Sequence, residues 1–277
     1  MSVNNLMAFS PTFVLLQQEA YLASELLSVG LTALRNTQFP DKASFYSGFF
    51  NTSIAFERVM KLIVTVDHML ENSFNAPTVR ELKSYGHDLE SLLSSCVTIG
   101  QKHQVESLES LPSDSIELEI LLFLSEFAKK SRYYNLDALS SAPSSYQEPL
   151  DRWGNILEHV FNVDIQQAKK QKRMAQAADM HNMLSGSVQA IQHGMDGALL
   201  DLDDAFNLPA KHDLAVPYVM VRVFNILSPL LELVGELGQK GFYDSPREIG
   251  PQCPVLSEFF VYFRGTSAQI RRKKRWP

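Results

Sequence analysis

His87 is the residue of this sequence whose type and setting point most directly to chemistry. It stands between Gly86 and Asp88 in SYGHDLESLL, where the glycine is suited to a left-handed stop and Leu89, Leu92 and Leu93 open the apolar spacing of a new helix. The first turn of a helix carries unpaired amides and a partial positive charge. These attract phosphate and disfavour protonation of a nearby histidine. His87 and Asp88 are therefore candidate ligand contacts. Glu57, Arg58 and Lys61 lie together in FERVMK, and Arg132 and Tyr133 in KKSRYYNLDAL. Arg58, Lys61, His87 and Arg132 would make a basic, imidazole-bearing pocket for a phosphate-bearing ligand. Plainer roles compete with this one. Glu57 and Lys61 have the spacing of a surface helix pair, His87 could serve as a helix cap, and Tyr133 could pack the end of a bundle.

Such a pocket needs helices to hold it. Phe45, Phe49, Thr52, Phe56, Val59, Ile63, Val66 and Leu70 recur at alternating steps of four and three, which predicts one long amphipathic helix with Glu57, Arg58 and Lys61 on the opposite face. Pro77 ends the loop that follows, and Thr78 with Glu81 has the spacing of a capping box at a further helix start. Ser10-Pro11 opens an earlier helix that runs to about Asn36, with serine as cap and proline in the first turn. Ile116, Ile120, Phe123, Leu124 and Phe127 predict a later one, capped at Ser113 or Asp114 and running out near Arg132.

The motifs FERVMK, SYGHDLESLL and KKSRYYNLDAL resemble the HEPN superfamily over roughly residues 12–140. The resemblance implies an up-down helical bundle with an E/R/K-rich second helix, a GHDL turn and an Arg-Tyr pair on a later helix. Ribonucleases of that superfamily work without metal. An arginine and a histidine with four to six residues between them act across a dimer, the histidine handling the 2′-hydroxyl proton and the arginine stabilising the phosphate. Arg80 and His87 fit the widest spacing and are the implied catalytic pair; Arg152 and His159 fit it as well. The chain departs from the pattern in two ways. No histidine follows Arg132-Tyr133-Tyr134-Asn135 on the helix that normally carries the pair, and Glu81 replaces the usual polar residue after the arginine.

SSAPSSYQEP is the clearest linker and places a boundary near 140–148. The expected organisation is a HEPN-like bundle over 1–140 and a helical extension over 149–277. In the extension, Met174, Ala177, His181, Leu184, Val188, Ile191, Met195, Ala198, Leu202 and Ala205 keep a heptad pattern. It predicts a long helix over 165–206 that serves a bundle or a dimer, with His181 in its core. A further helix over Tyr218–Leu237 is expected to bend or break at Pro229. The fold class is all-α, without the Val/Ile-rich strands of a parallel sheet.

Composition narrows the function classes. The chain has 277 residues, a net charge of −6 and 45% hydrophobic residues, those of an ordinary soluble protein with no general affinity for polyanions. Arg271, Arg272, Lys273, Lys274 and Arg275 concentrate positive charge in what reads as a solvated tail, with nucleic acid or an acidic partner as the alternative contact. Two distant cysteines, Cys96 and Cys253, fit a reducing compartment and exclude a cysteine-based zinc site. No run reaches about eighteen consecutive apolar residues, and Met1 to Phe13 lacks the charged start of a signal peptide. A cytoplasmic protein without a membrane span is the simplest expectation. Motifs for serine hydrolases, zinc proteases, nucleotide-phosphate loops and dinucleotide cofactors are missing, and DLDD at 201–204 lacks the glycine and closing glutamate of a calcium loop. No cofactor or metal is expected.

Three functions remain. The first is a nucleotide- or RNA-binding module in a prokaryotic stress-response, toxin–antitoxin or phage-defence assembly. The second is a metal-independent ribonuclease toxin using Arg80 and His87. The third is a non-catalytic scaffold that meets a protein partner or a second copy of itself.

Overall fold

The predicted stripe of α2 (Lys42–Glu71) turns inward along its length: Phe45, Phe49, Thr52, Phe56, Val59, Ile63 and Val66 are all buried. So are Met60, Leu62, Val64 and Met69, which lie outside that stripe. A helix buried on more than one side must be covered on more than one side, and α2 is the central element of the fold. The computed structural model describes residues 9–39, 41–130, 134–140, 148–184, 192–195, 197–246, 248 and 250–277. Among them there are ten α-helices and no strand.

The helix α1 (Pro11–Arg35) packs along α2. Ser10 caps it by accepting from the Phe13 amide at 3.1 Å, as the serine–proline pair predicts. The helices approach closely at Gly30, where an added Cβ would lie 2.5 Å from Thr52 Oγ1. Three shorter helices follow: α3 (Val79–Ser84), α4 (Leu89–Lys102) and α5 (Ile116–Lys129). Thr78 and Glu81 form the expected capping box, Gly86 takes φ +61° as a left-handed stop, and α5 is capped by Ser115 rather than Ser113 or Asp114. The short α6 (Tyr134–Leu139) precedes the expected boundary, whose residues 141–147 lie outside the described residues.

Then come α7 (Pro149–Asp164), α8 (Gln167–Leu184), α9 (Leu202–Tyr243), a 3₁₀ helix over Leu256–Phe263 and α10 (Ser267–Arg272). α9 packs on α2 and α7, so buried residues from both sides of residue 148 join a single hydrophobic cluster. One side chain ties three helices there. Arg222 of α9 donates from Nε to Asp164 of α7 at 2.9 Å and from Nη1 to Glu117 of α5 at 2.9 Å, while Asn225 adds a 2.8 Å bond to Glu117.

Three expectations for this half are overturned. The heptad strip is not one helix: α8 ends at Leu184, and beyond the undescribed 185–191 the chain turns back, with Gly194 N and Leu200 N donating to Ala198 O and Gln192 O. Gly197 at φ +82° makes that reversal, a conformation that glycine adopts without a Cβ penalty. Ala177 is the buried residue of α8, and His181 is only partly covered, 3.5 Å from Asp203. Secondly, α9 begins at Leu202 rather than Tyr218 and continues as one helix through Pro209, Pro217 and Pro229, so no break falls at Pro229. Each proline removes a helical hydrogen bond; burial of residues such as Val219, Val223, Leu230 and Val234 offsets the loss. An 18-residue window of α9 reaches a mean hydropathy of 1.6, long and apolar enough to cross a membrane, and 56% of it is buried within the fold.

Thirdly, the basic tail is docked through its backbone and Trp276, while the side chains of Arg272, Lys274 and Arg275 stay exposed. Trp276 is buried and stacks on Phe224 of α9 with centroids 5.7 Å apart, and its amide donates to Thr32 Oγ1 of α1 at 3.0 Å. Arg35 and Asn36 reach the carbonyls of Arg271 and Lys274, and the Arg271 guanidinium lies over the Tyr218 ring. Basic residues in the first turns of α8 are likewise engaged, with Lys170 over Phe161 and Arg173 paired with Asp213.

Candidate functional site

The turn after α2 creates a groove. Asn72 ends the helix, and Ser73 and Phe74 both take positive φ, 53° and 64°. With Phe74 N bonded to Met69 O at 2.7 Å, this reverses the chain so that Ala76 and Pro77 return beside the helix end. The capping box then starts α3, which runs six residues, and Gly86 follows its C-cap Tyr85. α3 buries none of its own residues, so it forms a strap whose inner side is open.

Between that strap and the helices lies a cavity of about 680 Å³. Thr12, Leu15, Leu16 and Glu19 of α1 form one wall, and Lys61, Leu62, Thr65 and Met69 of α2 form the floor. The strap supplies Pro77, Val79, Leu82 and Lys83, with Gly86 and His87 beyond its end. Leu15 and Val79 are 65% and 68% exposed, so much of this apolar wall faces solvent. Concavity, apolar walls and a few convergent polar groups are the ordinary features of a small-molecule site.

The polar groups gather at one oxygen. Glu57 Oε1 lies 2.7 Å from Lys61 Nζ and 2.8 Å from His87 Nδ1. An ionised carboxylate only accepts, so Nδ1 is the donor, and in the neutral form of the ring Nε2 is then the acceptor. The His87 side chain is 72% exposed while that of Glu57 is 16% exposed: the buried carboxylate orients an accessible imidazole. Arg58 is paired with Glu19 of the opposite wall, and its Nε is buried without a hydrogen-bond partner.

The structure thus brings Glu57, Lys61 and His87 together, with Arg58 joined to the groove through Glu19. The others lie elsewhere. Asp88 is the N-cap of α4, accepting from the Glu90 and Ser91 amides at 3.0 and 3.2 Å and pairing with Lys129 of α5. The Lys129 hydrogen bond holds the Asp88 carboxyl below the usual aspartate range. Leu89 N donates to Ser125 Oγ at 3.1 Å. The helix-start amides expected to meet phosphate are therefore taken internally, because Asp88 rather than His87 occupies the cap. Arg80 sits exposed on α3, outside the lining of the groove and with no bond to His87. Arg132 and Tyr133 lie outside the described residues. Arg152 and His159 leave the groove altogether and bind Glu126 and Glu119 of α5.

Glu19, Leu15 and Val79 escape the reading of the sequence. The one signal for them is that Leu15 and Val79 are apolar residues no buried stripe accounts for. Among the described residues no cluster of three or more metal-ligating side chains occurs.

The site can hold an apolar or flat body against Leu15, Leu62 and Val79 and exchange hydrogen bonds with it at the Glu57–Lys61–His87 end. Arg58 and Lys61 are matched by Glu19 and Glu57, which leaves the exposed Lys83 as the lining cation outside these ion pairs. No protein-family model, no curated protein and no solved structure matches the chain.

Proposed function

We propose that this chain is a HEPN-like helical module that binds a nucleotide or the end of an RNA strand, serving a prokaryotic stress-response, toxin–antitoxin or phage-defence assembly. The observation that carries the reading is the apolar groove closed by an oriented imidazole, with Glu57 Oε1 shared between Lys61 and His87. A nucleobase has the flat apolar faces to fill such a groove and a hydrogen-bonding edge to meet Nε2 and the ammonium. Phosphate has a single ammonium to meet, that of Lys83, because Glu19 and Glu57 already neutralise Arg58 and Lys61. Binding should therefore depend on the base more than on salt, unlike binding dominated by counterion release.

Isothermal titration with nucleosides, their 5′-monophosphates and a short single-stranded RNA tests this. Binding that survives removal of the phosphate and is lost in Leu15→Glu, at an exposed residue of the lining, supports it. Absence of heat with every probe, or binding indifferent to that substitution, overturns it.

The ribonuclease reading keeps one support, the Glu57–His87 pair, which prepares an imidazole to take a proton. Cleavage of RNA by the native chain and its loss in His87→Ala would establish that reading in place of simple binding.

A further inference from the structure

The outer face of α1 carries a pattern that the core does not use. Inward, the helix buries Leu16, Ala20, Ala23, Leu27, Leu31 and Leu34. Outward it presents Val14, Gln18, Tyr21, Leu22, Glu25 and Val29, all exposed, with Tyr21 at 61% and Leu22 and Val29 each at 42%; Leu15, 65% exposed at the edge of this face, lines the groove instead. At 3.6 residues per turn these six fall within an arc of about 100° and extend along about 22 Å of the axis. A surface helix normally keeps this face polar.

The steps between them are four, three, one, three and four, a sequence that reads the same in both directions about the midpoint of Tyr21 and Leu22. The chemistry mirrors too: valine at both ends, an amide and a carboxylate one step in, two large apolar residues at the centre. A two-fold interface requires that if residue i meets residue j of the second copy, j meets i. We infer that α1 docks antiparallel on α1 of a second copy of this chain, with Tyr21 on Leu22, Gln18 opposite Glu25 and Val14 opposite Val29. The carboxylate argues for this occupant and direction. A parallel pairing would set Glu25 against its own copy, whereas the antiparallel one gives it the Gln18 amide as donor, twice by symmetry. Tyr21 is already held edge-on by Phe259 with centroids 4.7 Å apart, which lowers the ordering cost of docking. A seam this short lies at the small end of specific interfaces, so the dimer dissociates in the micromolar range.

Sedimentation equilibrium of the full chain from about 1 to 500 µM decides the matter on this affinity scale. The native chain dimerises with concentration, and Leu22→Glu is monomeric with an unchanged far-ultraviolet circular dichroism spectrum. Gln18→Lys tightens the dimer about fivefold, the return from two symmetric exposed ion pairs with Glu25. Adding Glu25→Lys to Gln18→Lys abolishes that gain, which separates a specific pair from a mere change of net charge. A native chain monomeric throughout the range overturns the proposal. So does a dimer indifferent to Leu22→Glu, or one that Gln18→Lys loosens.

Discussion

The imidazole of His87 and the carboxylate of Glu57, thirty positions apart in the chain, meet at 2.8 Å across the end of the α1–α2–α3 groove. The carboxylate is largely covered and the ring largely open, so the pair separates support from contact. His87→Ala removes an exposed side chain and should change unfolding free energy by no more than about 0.5 kcal/mol. Its effect on a bound nucleoside should be about tenfold, the value of a hydrogen bond or two to a buried ligand. Glu57→Gln should weaken binding less and lower stability by about 1 kcal/mol, since Lys61 loses its partner. Titration calorimetry beside urea denaturation checks both.

Arg222 makes the opposite case, a side chain with stability as its role. It is 24% exposed and answers two carboxylates, Asp164 and Glu117, that are 17% and 11% exposed. Arg222→Met leaves both without their cation. The expected loss is about 2–4 kcal/mol, most of it from stranding charge rather than from the removed bonds, measurable as a lower urea midpoint with unchanged slope.

The same cluster sets an acid limit. Burial alone would raise the Glu117 carboxyl, but hydrogen bonds from Asn225 and Arg222 more than offset it and hold the group below the usual glutamate range. Asp88 is lowered as well, by its Lys129 bond. A depressed carboxyl contributes stability above the unfolded-state pKa, about 4 for these groups, and loses it as pH falls through the folded value. Melting temperature should therefore decline below about pH 4, and Glu117→Gln should show a shallower decline than the native chain from a lower starting value.

Gly30→Ala tests the closest contact of α1 and α2. Helix propensity favours alanine by about 1 kcal/mol. An added Cβ would stand 2.6 Å from the Thr52 backbone nitrogen, however, and backbone cannot turn aside as a flexible side chain can. Overpacking should prevail, with a net loss of about 1–3 kcal/mol in chemical denaturation.

What the sequence reveals of this molecule is what local physics determines. The α2 stripe, the Ser10 cap, the Thr78–Glu81 box and the Gly86 stop each depend on residues within a turn or two of one another, and each is legible. The continuity of α9 is not, because the propensity cost of Pro209, Pro217 and Pro229 is offset by packing against helices remote in the chain. The heptad strip misleads for the converse reason. Its spacing is regular, but Gly194 and Gly197 permit a reversal that the apolar residues alone do not foretell. In the site, Glu57, Lys61 and His87 are found through their types, whereas Glu19 and Leu15 come from α1, which no motif marks. The docked Trp276 is hidden by the basic residues around it.

The packing of α9 on α2 carries an implication for how the polypeptide can be divided. Fragments 1–140 and 149–277 would each bare a strip of valine, leucine and phenylalanine shaped for the other. Apart they should be sticky and poorly soluble; made together in one cell, they should purify as a stoichiometric pair, giving a split reporter whose two pieces regain structure only in each other's company.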